Sequence, residues 1–147
     1  MGWKSPTGGS GTGWSNIPNA YDEELSTYAL GPATSEPVYD SPVELTVSPL
    51  LCDRVRFYVY WFPTLPFIKV EVYYEGGYHE IYRGTYIDKS WIEKDVIPGS
   101  SGQAKVISKM RLSFMHYMIV DSAKVYEAYF NAVMPRLMKY YKSRRAG

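Results

Sequence analysis

The stretch DRVRFYVYWF (residues 53–62) alternates along its whole length, with Val55, Phe57, Val59 and Trp61 on one side and Arg54, Arg56, Tyr58 and Tyr60 on the other. A period of two marks a strand with one buried face and one wet face. PFIKVEVYY (66–74) repeats the pattern, setting Ile68, Val70 and Val72 opposite Lys69 and Glu71. Glu75-Gly76-Gly77 then reads as a tight hairpin turn into YHEIYR (78–83). Further out, VELTV (43–47) and SWIEKDV (90–96) are short strand candidates. KVISKMRLSFMH (105–116) alternates again, with Met110, Leu112 and Phe114 opposite Lys109 and Arg111. KVYEAYFNAV (124–133) puts Tyr126, Ala128 and Phe130 inward. Short strands separated by turn signals, with no long helical period, predict an all-β fold, an antiparallel β-sandwich or jelly roll.

The flanks differ in character. Residues 1–18 are rich in Gly, Ser and Pro and read as an N-terminal arm before a β-sandwich domain over 19–133. Residues 134–147 read as a short basic helix or tail. Pro135 suits a first helical position, and Leu137, Tyr140 and Tyr141 share one face.

Composition narrows the function. The chain has 147 residues, and 16 basic against 15 acidic residues leave a net charge of +1. That balance gives no whole-chain reason to expect nucleic acid or an anionic membrane. The longest uncharged apolar run, residues 57–68, is broken by Pro63 and Pro66 and is too short to span a bilayer as a helix. MGWKSPTGGSGTGW (1–14) contains no apolar signal-peptide core. Cys52 is the one cysteine, which excludes an intramolecular disulfide and predicts a small buried side chain. Chemistry-bearing motifs are absent. His79 and His116 are the two histidines, no HExxH pattern exists, and the glycines of GGSGTG lack the GK[ST] of a phosphate loop. The expectation is a protein that is not an enzyme and requires no cofactor. The 15 tyrosines point to interaction, because tyrosine packs like an apolar residue yet keeps a polar tip.

NAYDEELSTYA (19–29) resembles the opening motif of discoidin-type, galactose-binding-like jelly rolls, with Asn19, Ala20, Tyr21, Asp22, Ser26, Thr27 and Tyr28 as the matching pieces. The resemblance continues through VELTV, DRVRFYVYW, the hairpin VEVYYEGGYHEIYRG and the aromatic-Glu-x-aromatic pattern of YEAYF (126–130), and so covers most of residues 14–133. Within that family the chain looks most like small proteins of tailed phages and prophages, on its GGSGTGW stretch and Tyr-Glu-Gly-Gly-Tyr hairpin. What this resemblance implies is a structural component of a tailed-phage virion, in tail, neck or head surface, located in the particle and acting by packing against copies of itself and other virion proteins. The alternative, drawn from the exposed tyrosines because sugars bind on aromatic platforms, is a carbohydrate-binding module that adsorbs to host-surface glycan through loops at one end of the sandwich.

Each reading names residues. Trp3, Trp14, Tyr140 and Tyr141 are the expected assembly anchors. Tyr73, Tyr78, Tyr82 and Tyr86 are the expected glycan or partner face. Some discoidin-type modules hold a structural calcium ion, and the resemblance would place it by Asp22, Thr27 and Glu127. Where the family pattern usually has a glycine after the aspartate this chain has Glu23, so a different loop geometry is expected there.

Overall fold

The computed structural model describes residues 2–32, 39–60, 67–87, 89–115 and 123–134. The helix expected over 134–147, with Tyr140 and Tyr141, lies outside them but for Met134. The strands are β1 (Gly2–Lys4), β2 (Gly8–Ser10), β3 (Ala29–Leu30), β4 (Val43–Tyr60), β5 (Phe67–Tyr74), β6 (Gly77–Thr85), β7 (Trp91–Asp95), β8 (Lys105–Met115) and β9 (Lys124–Ala132), with one 3-10 turn at Ile17–Tyr21. All pairings are antiparallel.

Hydrogen bonds link these strands into one open sheet, and β4 divides it into two layers. The first half of β4 lies between β2 and β8, which leads on through β5 to β6. Its second half lies between β7 and β9, and β9 in turn carries β1 and β3. The sequence patterns VELTV and DRVRFYVYWF are therefore not two strands but one of 18 residues. Pro49 between them suggests a break. The ladder with β8 slips between Thr46 and Leu50, so the missing Pro49 N–H costs no bond and the strand runs on.

The inward residues of both layers form one core. Val43, Leu45, Ile68, Val70, Met110, Leu112 and Phe114 meet Val55, Phe57, Val59, Val125, Ala128 and Phe130. The period of two produced this separation, because alternate side chains point to opposite faces. Tyr126 is the exception to the expected inward set. A register shift between Tyr58 and Val59 brings Val125 inward beside Val59. Tyr126 packs instead on the outer rings of Tyr28 and Tyr58, with centroids 5.4 and 5.7 Å apart. Cys52 is buried as expected, and burial pushes its thiol up to about 12.

The segment expected as an arm reaching adjacent subunits pairs within this chain's own sandwich. β1 pairs with β9 and β2 with β4, and Trp14 is buried in the core, 6.1 Å from the Phe114 ring. Its indole N–H donates to the Ser41 carbonyl at 2.8 Å. The glycines of GGSGTGW serve this packing. A Cβ on Gly11 would stand 2.8 Å from the Trp14 ring and 2.9 Å from the Pro42 carbonyl.

Candidate functional site

The outer face of the first sheet is laid out in rows by strand register. Ser10, Glu44, Arg111, Glu71 and Glu80 form one row across β2, β4, β8, β5 and β6. Thr46, Lys109, Tyr73 and Tyr78 form the next. The hairpin sets the second row. Glu75 and Gly76 take φ of 51° and 83°, the left-handed pair of a type I′ turn, which places Tyr73 opposite Tyr78 with rings 5.1 Å apart.

Three side chains lock together where the rows meet. Arg111 Nε donates to Glu44 Oε1 at 3.2 Å, the Tyr78 hydroxyl donates to the same oxygen, and the Arg111 guanidinium lies 3.6 Å from the Tyr78 ring centroid. Burial opposes ionisation of Glu44. The Tyr78 hydroxyl, Arg111 and Lys109 outweigh it and hold the carboxyl below its ordinary value. Burial and the facing Glu44 carboxylate push the Tyr78 phenol well up, so it stays a donor. Beside this group opens a cleft of about 420 Å³, lined by Ser10, Gly11, Thr12, Ser41, Pro42, Glu44 and Arg111. Its wall thus carries hydroxyls, a carboxylate and a guanidinium, with an aromatic ring adjoining.

The four tyrosines expected on one face divide. Tyr78 bonds to Glu44 on the cleft wall, and Tyr73 meets the Tyr78 ring edge-on on the side away from the lining residues. Tyr82 and Tyr86 pack against the core; the Tyr82 hydroxyl donates to the Thr85 carbonyl at 2.5 Å, and Tyr86 meets the Phe114 ring edge-on at 5.9 Å. The shift in β5–β6 pairing between Val70 and Glu71 sets Tyr82 opposite the buried Val70 rather than on the outer face.

Asp22, Thr27 and Glu127 do come together. The Thr27 hydroxyl donates to Asp22 Oδ2 at 2.5 Å, and the Glu24 N–H to Asp22 Oδ1 at 3.0 Å. Glu127, on β9, is fully buried. Its Oε1 accepts from the Glu23 N–H at 3.0 Å and the Tyr129 hydroxyl at 2.8 Å, while Oε2 is buried with no hydrogen-bond partner among the described residues. Burial pushes this carboxyl up to about 7, helped by Asp22 beside it and opposed by its Tyr129 and Glu23 donors. Two carboxyls this close repel when both are ionised, and a shared proton or a bound cation would relieve that. Glu23, where altered loop geometry was expected, takes φ 62°. That is the left-handed conformation a glycine favours, and it turns the Glu23 N–H toward Glu127.

The outer face of the second sheet is aromatic. Arg56 lies 4.4 Å from the Trp3 ring, 4.5 Å from Trp91 and 5.2 Å from Tyr129. Tyr58 adjoins Trp91 and Tyr126, and Lys124 lies over Tyr28 and Tyr60. Trp3, expected as an anchor for neighbouring subunits, is thus half-buried against this chain's own arginine.

Sequence reasoning missed Ser10, Thr12, Ser41, Glu44 and Arg111 as site residues. Alternation put Arg111 on an outer face, but its partnership with Glu44 depends on the β4–β8 register, which is long-range.

No family model matches this chain, and no curated protein does. Solved structures match its fold. The Clostridium perfringens module CpGH89CBM32-4, in complex with GlcNAc-α-1,4-galactose, has a TM-score of 0.65 at 16% identity, covering 88% of this chain and 94% of that one. The CBM32 of AlyQ, in complex with 4,5-unsaturated mannuronic acid, has 0.64 at 12%, covering 88% and 98%. The family 32 CBM of C. perfringens NanJ, in complex with galactose, has 0.61 at 9%, covering 84% and 92%. The fold is the galactose-binding-like, discoidin-type β-sandwich of these carbohydrate-binding modules, as expected. The narrower phage likeness gains no support from them. Some matched chains join such a module to an enzyme, as in truncated AlyQ with its alginate lyase domain, of which this chain covers 34%.

Proposed function

We propose that this protein is a non-catalytic carbohydrate-binding module whose glycan contacts lie in the cleft beside Glu44, Arg111 and Tyr78. The observation that carries the reading is that group of three side chains opening on a hydroxyl-lined cleft, in a fold that glycan-binding modules share. A sugar is a ring of hydroxyls that both donate and accept, with C–H faces between them. Glu44 accepts from such hydroxyls and Arg111 donates to them. The Tyr78 ring beside Glu44 offers an amphipathic surface for the C–H face.

The test is a glycan array followed by titration calorimetry on the purified chain. Binding that falls at least tenfold in Glu44→Ala and in Tyr78→Ala, both still folded, is the expected result. Absence of binding to every glycan class would remove the reading.

The Asp22–Thr27–Glu127 cluster is proposed as a structural calcium site. Calcium takes six to eight oxygens. Two carboxylates and one hydroxyl are present in the cluster, leaving the rest to backbone carbonyls and water. The orphaned Glu127 Oε2 is what such an ion would satisfy. Bound calcium would order the loop from Asp22 to Thr27 and let Glu127 ionise, with no part in glycan chemistry. Saturating calcium should raise the melting temperature by several degrees over EDTA-treated protein, by mass action on the native state. Thr27→Ala and Asp22→Asn should abolish the difference; a wild-type melt indifferent to EDTA and calcium would remove the site.

A further inference from the structure

We propose that the cleft selects an acidic sugar, a hexuronate residue whose carboxylate docks on the Nη1–Nη2 edge of Arg111; this rests on the glycan-binding reading above. The geometry of one guanidinium carries the argument. Its Nε is held by Glu44 at 3.2 Å and its Cζ lies 3.6 Å from the Tyr78 ring centroid, while Nη1 and Nη2 make no hydrogen bond among the described residues. A guanidinium pinned at Nε and over one face retains a single planar edge with two parallel donors. That edge matches a carboxylate in two-pronged fashion. Because the side chain is already positioned, less conformational entropy is lost when the anion arrives.

Charge along the face favours the same occupant. Glu44 and Arg111 cancel, and Lys109 stands beside them, 5.1 Å from the Tyr73 ring and close enough to act on Glu44. Further along the row Glu71 and Glu80 both act on Arg83, and Lys69 pairs in register with Arg83, so those four balance. The surplus at the cleft is the positive charge of Lys109. An amino sugar is the opposite candidate and would need Glu44. That carboxylate already takes the Tyr78 hydroxyl and Arg111 Nε on one oxygen, and two cations flank it. The hydroxyls of Ser10, Thr12 and Ser41, which share the cleft lining with Glu44 and Arg111, would bond the ring hydroxyls beside the acid.

The experiment is titration calorimetry of the whole chain with tetragalacturonate, its fully methyl-esterified counterpart, and a sulfated neutral tetrasaccharide. The methyl ester keeps size and ring geometry and removes the charge. Wild-type protein is expected to prefer the free acid by tenfold or more, with the preference shrinking as salt rises. Arg111→Gln should erase the preference, and Arg111→Lys should restore only part of it because a point charge lacks the planar edge. Acid and ester bound equally would overturn the inference while leaving the glycan-binding reading intact. Sulfated sugar bound as tightly as uronate would also overturn it, in favour of simple charge attraction. Binding to no sugar at all would remove both. The comparison of wild type across the three sugars needs no variant, so a misfolded Arg111 variant leaves the test standing.

Discussion

Each of the two outer faces of this sandwich sets an arginine among aromatic rings, and they do opposite things with it. On the first sheet, Arg111 has one ring beneath it, a carboxylate on Nε and a cleft in front. On the second sheet, Arg56 has three rings around it, and its Nε is buried with no hydrogen-bond partner among the described residues. A guanidinium with a free edge in water is available to a ligand. One enclosed by Trp3, Trp91 and Tyr129 is spent on holding its own chain, and Trp3 lies on β1, so the enclosure fastens the N-terminal strand. Exposed-face pattern alone does not separate these roles; the difference lies in whether the polar edge remains accessible.

The largest expected effect comes from beneath the first face. Trp14 carries the wall of the cleft, since Gly11 packs on its ring and Ser41 accepts its indole N–H. Trp14→Ala should cost about 3–5 kcal/mol, the range for emptying a buried aromatic site. That corresponds to a melting temperature lower by on the order of 10 °C. Glycan binding should be lost even at temperatures where the variant stays folded. A calorimetric melt equal to wild type would break this account and return Trp14 to the role of an anchor for neighbouring subunits.

A middle-sized effect separates the faces directly. Arg56→Ala removes three cation–ring contacts, worth about 0.5–2 kcal/mol each by type. The unpartnered Nε offsets part of that, so a net loss of about 1–2 kcal/mol is expected, with glycan affinity unchanged. Arg111→Ala should do the reverse, cutting affinity at least tenfold with a smaller change in stability. Paired melts and titrations read both. If Arg56→Ala removed glycan binding and left the melt alone, the recognition face would be the aromatic one.

What could be read from sequence follows the same division. The strands of the first and second sheets were legible because burial imposes a period of two, and the core residues followed from it. β1, β2 and β3 were not legible. They are two or three residues long, too short for any periodicity, and Gly8 and Gly9 carry no strand signal; their pairing with β9 and β4 is long-range. The Asp22–Thr27–Glu127 cluster was legible through family resemblance, since its parts lie 100 residues apart and no spacing rule joins them. The Glu44–Arg111 pair lacked both signals. Two unremarkable outward charges become a site only when antiparallel register sets them side by side.

The smallest expected effect tests whether that pair matters to folding as well as to ligand. Glu44 is ionised in the folded chain, and although burial works against this, Tyr78, Arg111 and Lys109 hold its carboxyl below the ordinary 4.5. The unfolded chain therefore binds more protons at this group than the folded chain does in the acid range. Stability from Glu44 is then fully present above about pH 4.5 and is lost as pH falls through its lower folded value. Glu44→Gln keeps the shape, loses the charge, and leaves Arg111 without its partner, at a cost of about 1 kcal/mol for a partly exposed charge-assisted bond. At neutral pH the variant should melt about 2–4 °C below wild type. The gap should close as both are taken well below pH 4.5, because wild-type Glu44 is by then protonated too. A gap that stays constant into acid would mean the loss comes from packing rather than charge. A gap that widens in acid would reverse the sign, and the first face would then rest on something other than an ionised Glu44 holding Arg111 in place.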